Sequence, residues 1–169
     1  NLTQARYTLS AVSSSSYGYF GGGNAPPFAA TVDRIDFSNE TTSAPGNNLP
    51  QARYNLAAVS GGASYRISGS RTYGYIGGGS NFPPYVWRDT VDRLDFSNET
   101  VSAPGKDLSQ AREGLAAVST SSYGYFAGGQ YPLPPPSVSD AKSTVDRIDF
   151  SNETTSAPGN NLPQARSGL

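Results

Sequence analysis

The sequence predicts an all-β protein built from repeated four-stranded units, and three observations lead to this prediction. A segment that begins Thr-Val-Asp-Arg recurs at 31–53, 90–112 and 144–166, and its first and third copies are identical. Short runs rich in β-branched and aromatic residues alternate with clusters of Gly, Pro, Asn and Ser, which is the pattern of strands and turns. No segment combines helical periodicity with helix-capping residues.

An Ala-Arg pair stands at the start of each unit of the repeat. It recurs at 5–6, 52–53, 111–112 and 165–166. Because the chain begins and ends in the same phase of the repeat, we expect it to be part of a longer object. The predicted divisions are a first unit at 1–46, a second at 47–105, a third at 106–159, and a segment at 160–169 that starts a next unit or closes onto another chain.

The first two predicted strands of each unit differ in character. The first is rich in small apolar residues and lies at 7–13, 54–60 and 113–119. The second is aromatic and ends in glycines, and it lies at 16–23, 72–79 and 122–129. Because side chains alternate between the faces of a strand, Tyr17 and Tyr19 share the face opposite to Gly18. We expect the glycines to let neighbouring backbones approach closely and the aromatic rings to supply apolar area.

The third predicted strand contains Val-Asp-Arg, and a turn at Ser-Asn-Glu leads to a short fourth strand. In the first unit this turn lies at 38–40, and Pro45 and Gly46 end the fourth strand. Four antiparallel strands in each repeat are typical of a propeller blade.

The order of these features resembles the kelch repeat: an Arg, a small apolar strand, an aromatic strand ending in paired glycines, and a Val-x-x-(Ile/Leu)-Asp-Phe strand. The Trp usual in the fourth strand of that repeat is missing, and Thr42, Val101 and Thr155 lie near its place. The resemblance implies four-stranded antiparallel blades of a kelch-like β-propeller, three complete and a fourth begun. A propeller has at least four blades, so closure requires more repeats or another chain. The repeat is also similar to repeat-rich tail-fibre and virion proteins of cyanobacterial phages.

The composition excludes several chemistries. The chain has no Cys, His or Met, so it has no disulfides, no zinc site of Cys and His, and no nucleophile that depends on a thiolate or an imidazole. The copper chemistry of galactose-oxidase-like propellers, which the kelch resemblance would otherwise imply, also needs Cys and His. Catalysis by carboxylates alone is the alternative, because glycoside hydrolysis needs only two of them. Nine of the 13 acidic residues belong to the repeated scaffold, and the candidates outside it are Asp89, Asp107, Glu113 and Asp140. We predict that the protein is not an enzyme and binds no cofactor.

Charge and hydropathy limit the partners. The 12 basic residues nearly balance the 13 acidic ones, so no net field attracts nucleic acid. No apolar run is long enough to span a membrane. A chain without oxidisable Cys or Met suits an oxidising environment, and we expect an extracellular or virion-associated location.

Arginine and aspartate recur together in every unit and predict a structural network. Its predicted members are Arg6, Arg34, Asp36, Arg53, Arg93, Asp95, Arg112, Arg147 and Asp149. Buried charges are costly unless they are paired, so such a network would lock strands or adjacent blades together. Calcium binding by the repeated carboxylates is the alternative, but an Arg inside each cluster argues against it.

The Asn-Glu-Thr turn of each unit matches the N-glycosylation pattern. The acceptor residues would be Asn39, Asn98 and Asn152. The turn propensity of Asn explains the same repetition without a glycan.

The units differ most in the loop between their second and third strands. These loops are proline-rich and carry the candidate binding residues Phe28, Phe82, Tyr85, Trp87 and Tyr131. Equivalent loops of a propeller emerge on one face, so these aromatic residues would form a stiff rim suited to a glycan or a protein surface. Packing of the same residues onto the edges of the blades is the alternative.

Two functional hypotheses remain after these exclusions. The first is a structural fibre or filament assembled from near-identical kelch-like blades, because a unit whose partners are copies of itself can stay uniform. The second is a recognition propeller that binds a glycan or a protein through the aromatic loops. The first predicts self-association, either as a closed homo-oligomer or as a filament, because open blade edges associate unless they are covered.

Overall fold

The computed structural model describes residues 1–26, 28–63, 71–82, 84–131 and 140–169, and over these residues it contains fifteen strands and no helix. The prediction of an all-β chain is confirmed. None of the described residues forms a helix long and apolar enough to cross a membrane.

Each repeat forms one antiparallel sheet. The first unit contains β1 (Ser10–Ser13), β2 (Tyr17–Gly21), β3 (Val32–Asp36) and β4 (Thr42–Ser43). The second contains β5 (Ala57–Ala63), β6 (Arg71–Gly77), β7 (Ser80–Asn81), β8 (Val86–Trp87), β9 (Val91–Asp95) and β10 (Val101–Ser102). The third contains β11 (Glu113–Ser119), β12 (Tyr123–Tyr131), β13 (Asp140–Ala141), β14 (Val145–Asp149) and β15 (Thr154–Ser156). In each unit four of these strands pair in chain order, so the units share one meander topology.

The same register is kept in all three sheets. Tyr19 pairs with Arg34 across β2 and β3, as Tyr75 pairs with Arg93 across β6 and β9. The corresponding pair in the third unit joins β12 and β14. The strands β7 and β8 form a separate hairpin, and β13 pairs with the end of β12, so the variable loops carry the additional strands.

The first strand of units one and two begins later than predicted. Regular pairing starts at Ser10 and at Ala57. The cause is a left-handed residue just before each strand, Thr8 with a φ of 54° and Asn55 with a φ of 54°. A residue in this conformation interrupts an extended strand. In unit three Gly114 takes the left-handed position inside β11.

The hydrophobic core lies between neighbouring sheets. One cluster joins units one and two and contains Val12, Tyr19, Val32, Leu49, Leu56, Ile76 and Leu94. The other joins units two and three and contains Ala57, Val59, Tyr75, Val91, Leu108, Leu115, Phe126, Ile148 and Phe150. A unit therefore buries its apolar side chains against the next unit, as in other repeat proteins. We call the side of a sheet that meets the next unit its trailing face and the opposite side its leading face.

Candidate functional site

The junction between units one and two is built from five side chains. On the trailing face of unit one, the ring of Tyr19 stacks on the ring of Phe96, with centroids 5.3 Å apart and planes at 12°. The Tyr19 hydroxyl donates a hydrogen bond of 3.0 Å to Oε1 of Glu99. The guanidinium of Arg34 donates to the same oxygen over 2.5 Å and lies 4.7 Å from the centre of the Tyr17 ring.

The junction between units two and three repeats this arrangement. Tyr75 stacks on Phe150 with centroids 5.3 Å apart, and its hydroxyl donates to Glu153 over 3.0 Å. Arg93 pairs with Glu153 at 2.8 Å and lies 4.8 Å from the centre of the Tyr73 ring. The two junctions therefore consist of the same five residue types in the same contacts.

The position of the junction glutamate is fixed by the turn between the third and fourth strands. Glu99 has a left-handed φ of 60°, and its N–H donates to the carbonyl of Asp95 over 2.8 Å. The Asp95 carboxylate accepts from the backbone and the hydroxyl of Ser97. The side-chain oxygen of Asn98 accepts from the backbone and the hydroxyl of Thr100. These bonds orient the turn so that Glu99 meets the preceding unit.

The predicted residues Asp36 and Asp149 occupy the same turn position as Asp95. Hydrogen bonds from Ser38 hold the pKa of Asp36 below its usual value, and Ser151 does the same for Asp149. Asn39 and Asn152, the other predicted glycan acceptors, each accept from the Thr two residues on. The turn thus uses both the Asp and the Asn of each repeat as local acceptors.

The junction tyrosines remain hydrogen-bond donors. Burial raises the pKa of Tyr19 far above its ordinary value, and the hydrogen bond to Glu99 raises it further. Burial likewise raises the pKa of Tyr75, with Glu153 acting in the same direction. A protonated phenol beside a carboxylate is a stable donor and acceptor pair.

A second set of predicted arginines links the units through the chain that connects them. The backbone carbonyl of Arg53 accepts from Gly23 of unit one over 2.9 Å, while its guanidinium binds Asp92 of unit two. Arg112 repeats this link, because Gly79 donates to its carbonyl over 2.8 Å and its guanidinium binds Asp146. The buried partner is thus the first Asp of the third strand.

Arg6 makes the corresponding pair within unit one. Its guanidinium binds Asp33 over 2.8 Å, and neither side chain is accessible to solvent. Thr3 adds a hydrogen bond of 2.6 Å to the same carboxylate. The predicted Arg34 and Arg93 pair with glutamates instead of with Asp36 and Asp95, and Arg147 donates to Ser156.

Four of the five predicted loop aromatics belong to one cluster. Phe28 stacks on Tyr54 at 5.0 Å, and the Tyr54 hydroxyl donates to Tyr85 over 3.0 Å. Tyr85 in turn stacks on Trp87 at 5.1 Å and contacts Phe82 at 5.0 Å. The fifth predicted residue contacts a cation instead, since Lys142 lies 5.9 Å from the centre of the Tyr131 ring.

The glutamates that join neighbouring units were not predicted from the sequence. Glu99 and Glu153 were part of a motif interpreted as a turn or a glycan acceptor, although their recurrence in every unit was the available signal. Glu113 is buried and accepts from Ser80, Asn55 and Gln130. Glu113 departs from the repeat, because Tyr7 and Tyr54 hold its place in units one and two, and it was a sequence candidate only as an acidic residue outside the scaffold.

Within the part of the chain that the structure describes, no three acidic residues are grouped so that they could hold a metal ion. No protein-family model matches the chain, and no curated protein is significantly similar to it. The resemblance to kelch repeats therefore rests on the repeat itself.

The junction hydrogen bond gives a matched test inside one chain. Tyr75→Phe should lower the free energy of unfolding by about 1–2 kcal/mol, because Glu153 loses a buried donor while the stacked ring remains. Tyr125 holds the same repeat position without a hydrogen bond to a glutamate among the described residues, so in the unassembled chain Tyr125→Phe should change the value by less than about 0.5 kcal/mol. Urea titration measures both values, and equal effects would contradict the role of the bond.

Proposed function

We propose that the protein is a non-enzymatic structural repeat protein whose units are kelch-like blades of an extracellular or virion-associated fibre or filament. The observation that carries this proposal is the junction, which occurs twice with the same five residue types. A unit that recognises a copy of itself is suited to serial assembly.

The blade interpretation is supported by topology and by burial. Four antiparallel strands in chain order, packed face to face with the next sheet, are the organisation of propeller blades. The first strands β1, β5 and β11 lie along one cleft, as the inner strands of successive blades would, and the leading face of unit one lines the same cleft at Gly18 and Phe37.

The mass and shape of the native particle test this function. We expect mass photometry to show multiples of 17.7 kDa and negative-stain images to show rings or periodic filaments. A monodisperse monomer at every concentration would refute the function as a building block that assembles with copies of itself.

The second candidate function is recognition of a glycan, and the aromatic hairpin β7–β8 favours it. Phe82 and Tyr85 are each about half exposed, and Tyr85 is stiffened by its stack on Trp87. Exposed rings held in place lose little entropy when a sugar ring stacks on them. Glycan-array binding that is lost in Tyr85→Ala and retained in Tyr131→Ala would favour this function.

A further inference from the structure

Among the described residues, no unit packs on the leading face of unit one as units one and two pack on the leading faces of units two and three. Phe37 is 49% exposed, whereas the equivalent Phe150 is 8% exposed beneath Tyr75. Glu40 has the same left-handed φ as Glu99 and is exposed. In the described part of the chain no arginine forms an ion pair with it. This face therefore presents the Phe and the Glu of a junction without their partners.

The trailing face of unit three presents the opposite half of a junction. Arg147 lies 4.7 Å from the centre of the Tyr123 ring, as the junction arginines do, but pairs with no carboxylate among the described residues. Tyr125 is partly exposed. Val118 is 67% exposed, whereas Val59 is 4% exposed and lies against Gly124 of the next unit.

We propose that these two faces bind each other in different copies of the chain. The trailing face of unit three in one copy packs against the leading face of unit one in a second copy. The inference rests on the proposed structural function and specifies its interface. Phe37 would stack on Tyr125, and Glu40 would accept hydrogen bonds from Tyr125 and Arg147. Gly18, which lines the open cleft beside Phe37, would receive Val118.

The charges and the shapes of the two faces favour a second copy as the occupant. Residues 31–53 and 144–166 are identical, so the sequence around the pairing residues of a head-to-tail contact is that of the internal junctions. The contact is heterologous, and it therefore closes into a ring or continues as a filament. One position on the trailing face of unit three differs from the internal junctions. In units one and two this position is Gly21, on which Ile76 packs, and Gly77, on which Phe126 packs, whereas in unit three it is Ala127. We expect the contact between copies to be weaker than the internal junctions.

A connecting segment that ends in Ala-Arg, at 47–53 and 106–112 inside the chain, joins each unit to the next. Nearly the same segment recurs at 1–6 and at 160–166, and the contact between copies accommodates only one of these two. The carbonyl of Arg166 accepts from Gly129 over 2.9 Å, as the carbonyl of Arg53 accepts from Gly23, but the Arg166 side chain is exposed. Arg6 instead keeps its buried pair with Asp33. The segment 160–169 is thus held less firmly than the N-terminal segment. We expect the N-terminal segment of the second copy to displace it from unit three.

Charge reversal tests the pairing directly. Glu40→Arg and Arg147→Glu should each raise the concentration at which the chain assembles by about tenfold or more, because each places like charges together. An equimolar mixture should recover assembly, since each contact then joins either the native pair or the reversed pair. Sedimentation velocity over a concentration series measures the assembly, and recovery on mixing shows that both variants are folded.

The outcomes distinguish an error in the proposed interface from an error in the proposed structural function. If the native chain assembles and the single variants assemble equally well, or the mixture recovers nothing, the interface is wrong and the structural function stands. If the native chain never assembles, the structural function fails as well. Deletion of 160–169 should tighten assembly several-fold, whereas unchanged or weaker assembly would contradict the exchange of the connecting segments.

Discussion

Arg112→Met is expected to lower the free energy of unfolding by about 3–5 kcal/mol, because it leaves the carboxylate of Asp146 buried without a cation. Both side chains are almost inaccessible to solvent. The guanidinium also donates to the carbonyl of Thr144 over 3.2 Å, which would lose this partner too. Urea unfolding followed by circular dichroism and by the fluorescence of Trp87 would measure the loss and report whether the units unfold together.

Arg166 provides the matched control for this substitution. It occupies the same position in the repeat, but its side chain is exposed and has no ion pair in the described residues. Arg166→Met should therefore change the free energy of unfolding by less than about 0.5 kcal/mol. Similar losses in the two variants would show that the buried charge pair does not account for the loss in Arg112→Met.

A double variant separates the cost of an unpaired charge from the net value of the pair. Arg112→Met combined with Asp146→Leu removes both charges and keeps apolar volume, so it should recover most of the stability lost in Arg112→Met. A double variant as unstable as the single one would mean that the ion pair itself contributes the missing free energy.

The strands and their repetition could be predicted from the sequence because the relevant interactions are local. The alternation in Tyr17–Gly21 and the turn residues after Asp36 act over a few positions, and both are visible in the chain. The late start of β1 could not be predicted, because Thr8 adopts a left-handed conformation that its residue type disfavours.

The contacts between units could not be predicted in the same way. The hydrogen bond from Tyr19 to Glu99 joins residues 80 positions apart, and nothing in the local pattern selects that partner. The arginines were recognisable as a network, but both Asp33 and Asp36 were available to Arg6, and only the packing decides between them. Asp33 is buried where the guanidinium of Arg6 reaches it, whereas the carboxylate of Asp36 accepts a hydrogen bond from Ser38 within its own turn.

The junction explains why the units stay nearly identical. Each internal unit must present a Phe and a Glu on one face and a Tyr and an Arg on the other, so a change on either face affects a neighbour. The described residues of the variable loops are not among the five side chains of either junction, and these loops are segments in which the units diverge. Uniform faces and divergent loops are what we expect when assembly restrains the faces and leaves the loops free to change.

Gly78→Ala is expected to lower the free energy of unfolding by about 3 kcal/mol or more. A Cβ at this position would lie 2.7 Å from the backbone oxygen of Arg112 and 2.6 Å from a methyl group of Leu115. The residue also has a left-handed φ of 70°, which costs a residue with a Cβ about 1–2 kcal/mol by itself. Because the clash is with backbone, the connecting segment must move, and the ion pair between Arg112 and Asp146 would be strained.

Gly105 isolates the clash from the backbone conformation. It has a left-handed φ of 80°, and a Cβ there would meet no atom within 4 Å. Gly105→Ala should therefore cost only the conformational 1–2 kcal/mol or so, and the difference between the two variants measures the close approach of the connecting segment to β6. If Gly78→Ala is no worse than Gly105→Ala, the segment is not held tightly against the sheet, and the anchoring of Arg112 on both units would have to be abandoned. A larger loss in Gly78→Ala would instead mean that the paired glycines are required because the connection between units passes directly over them.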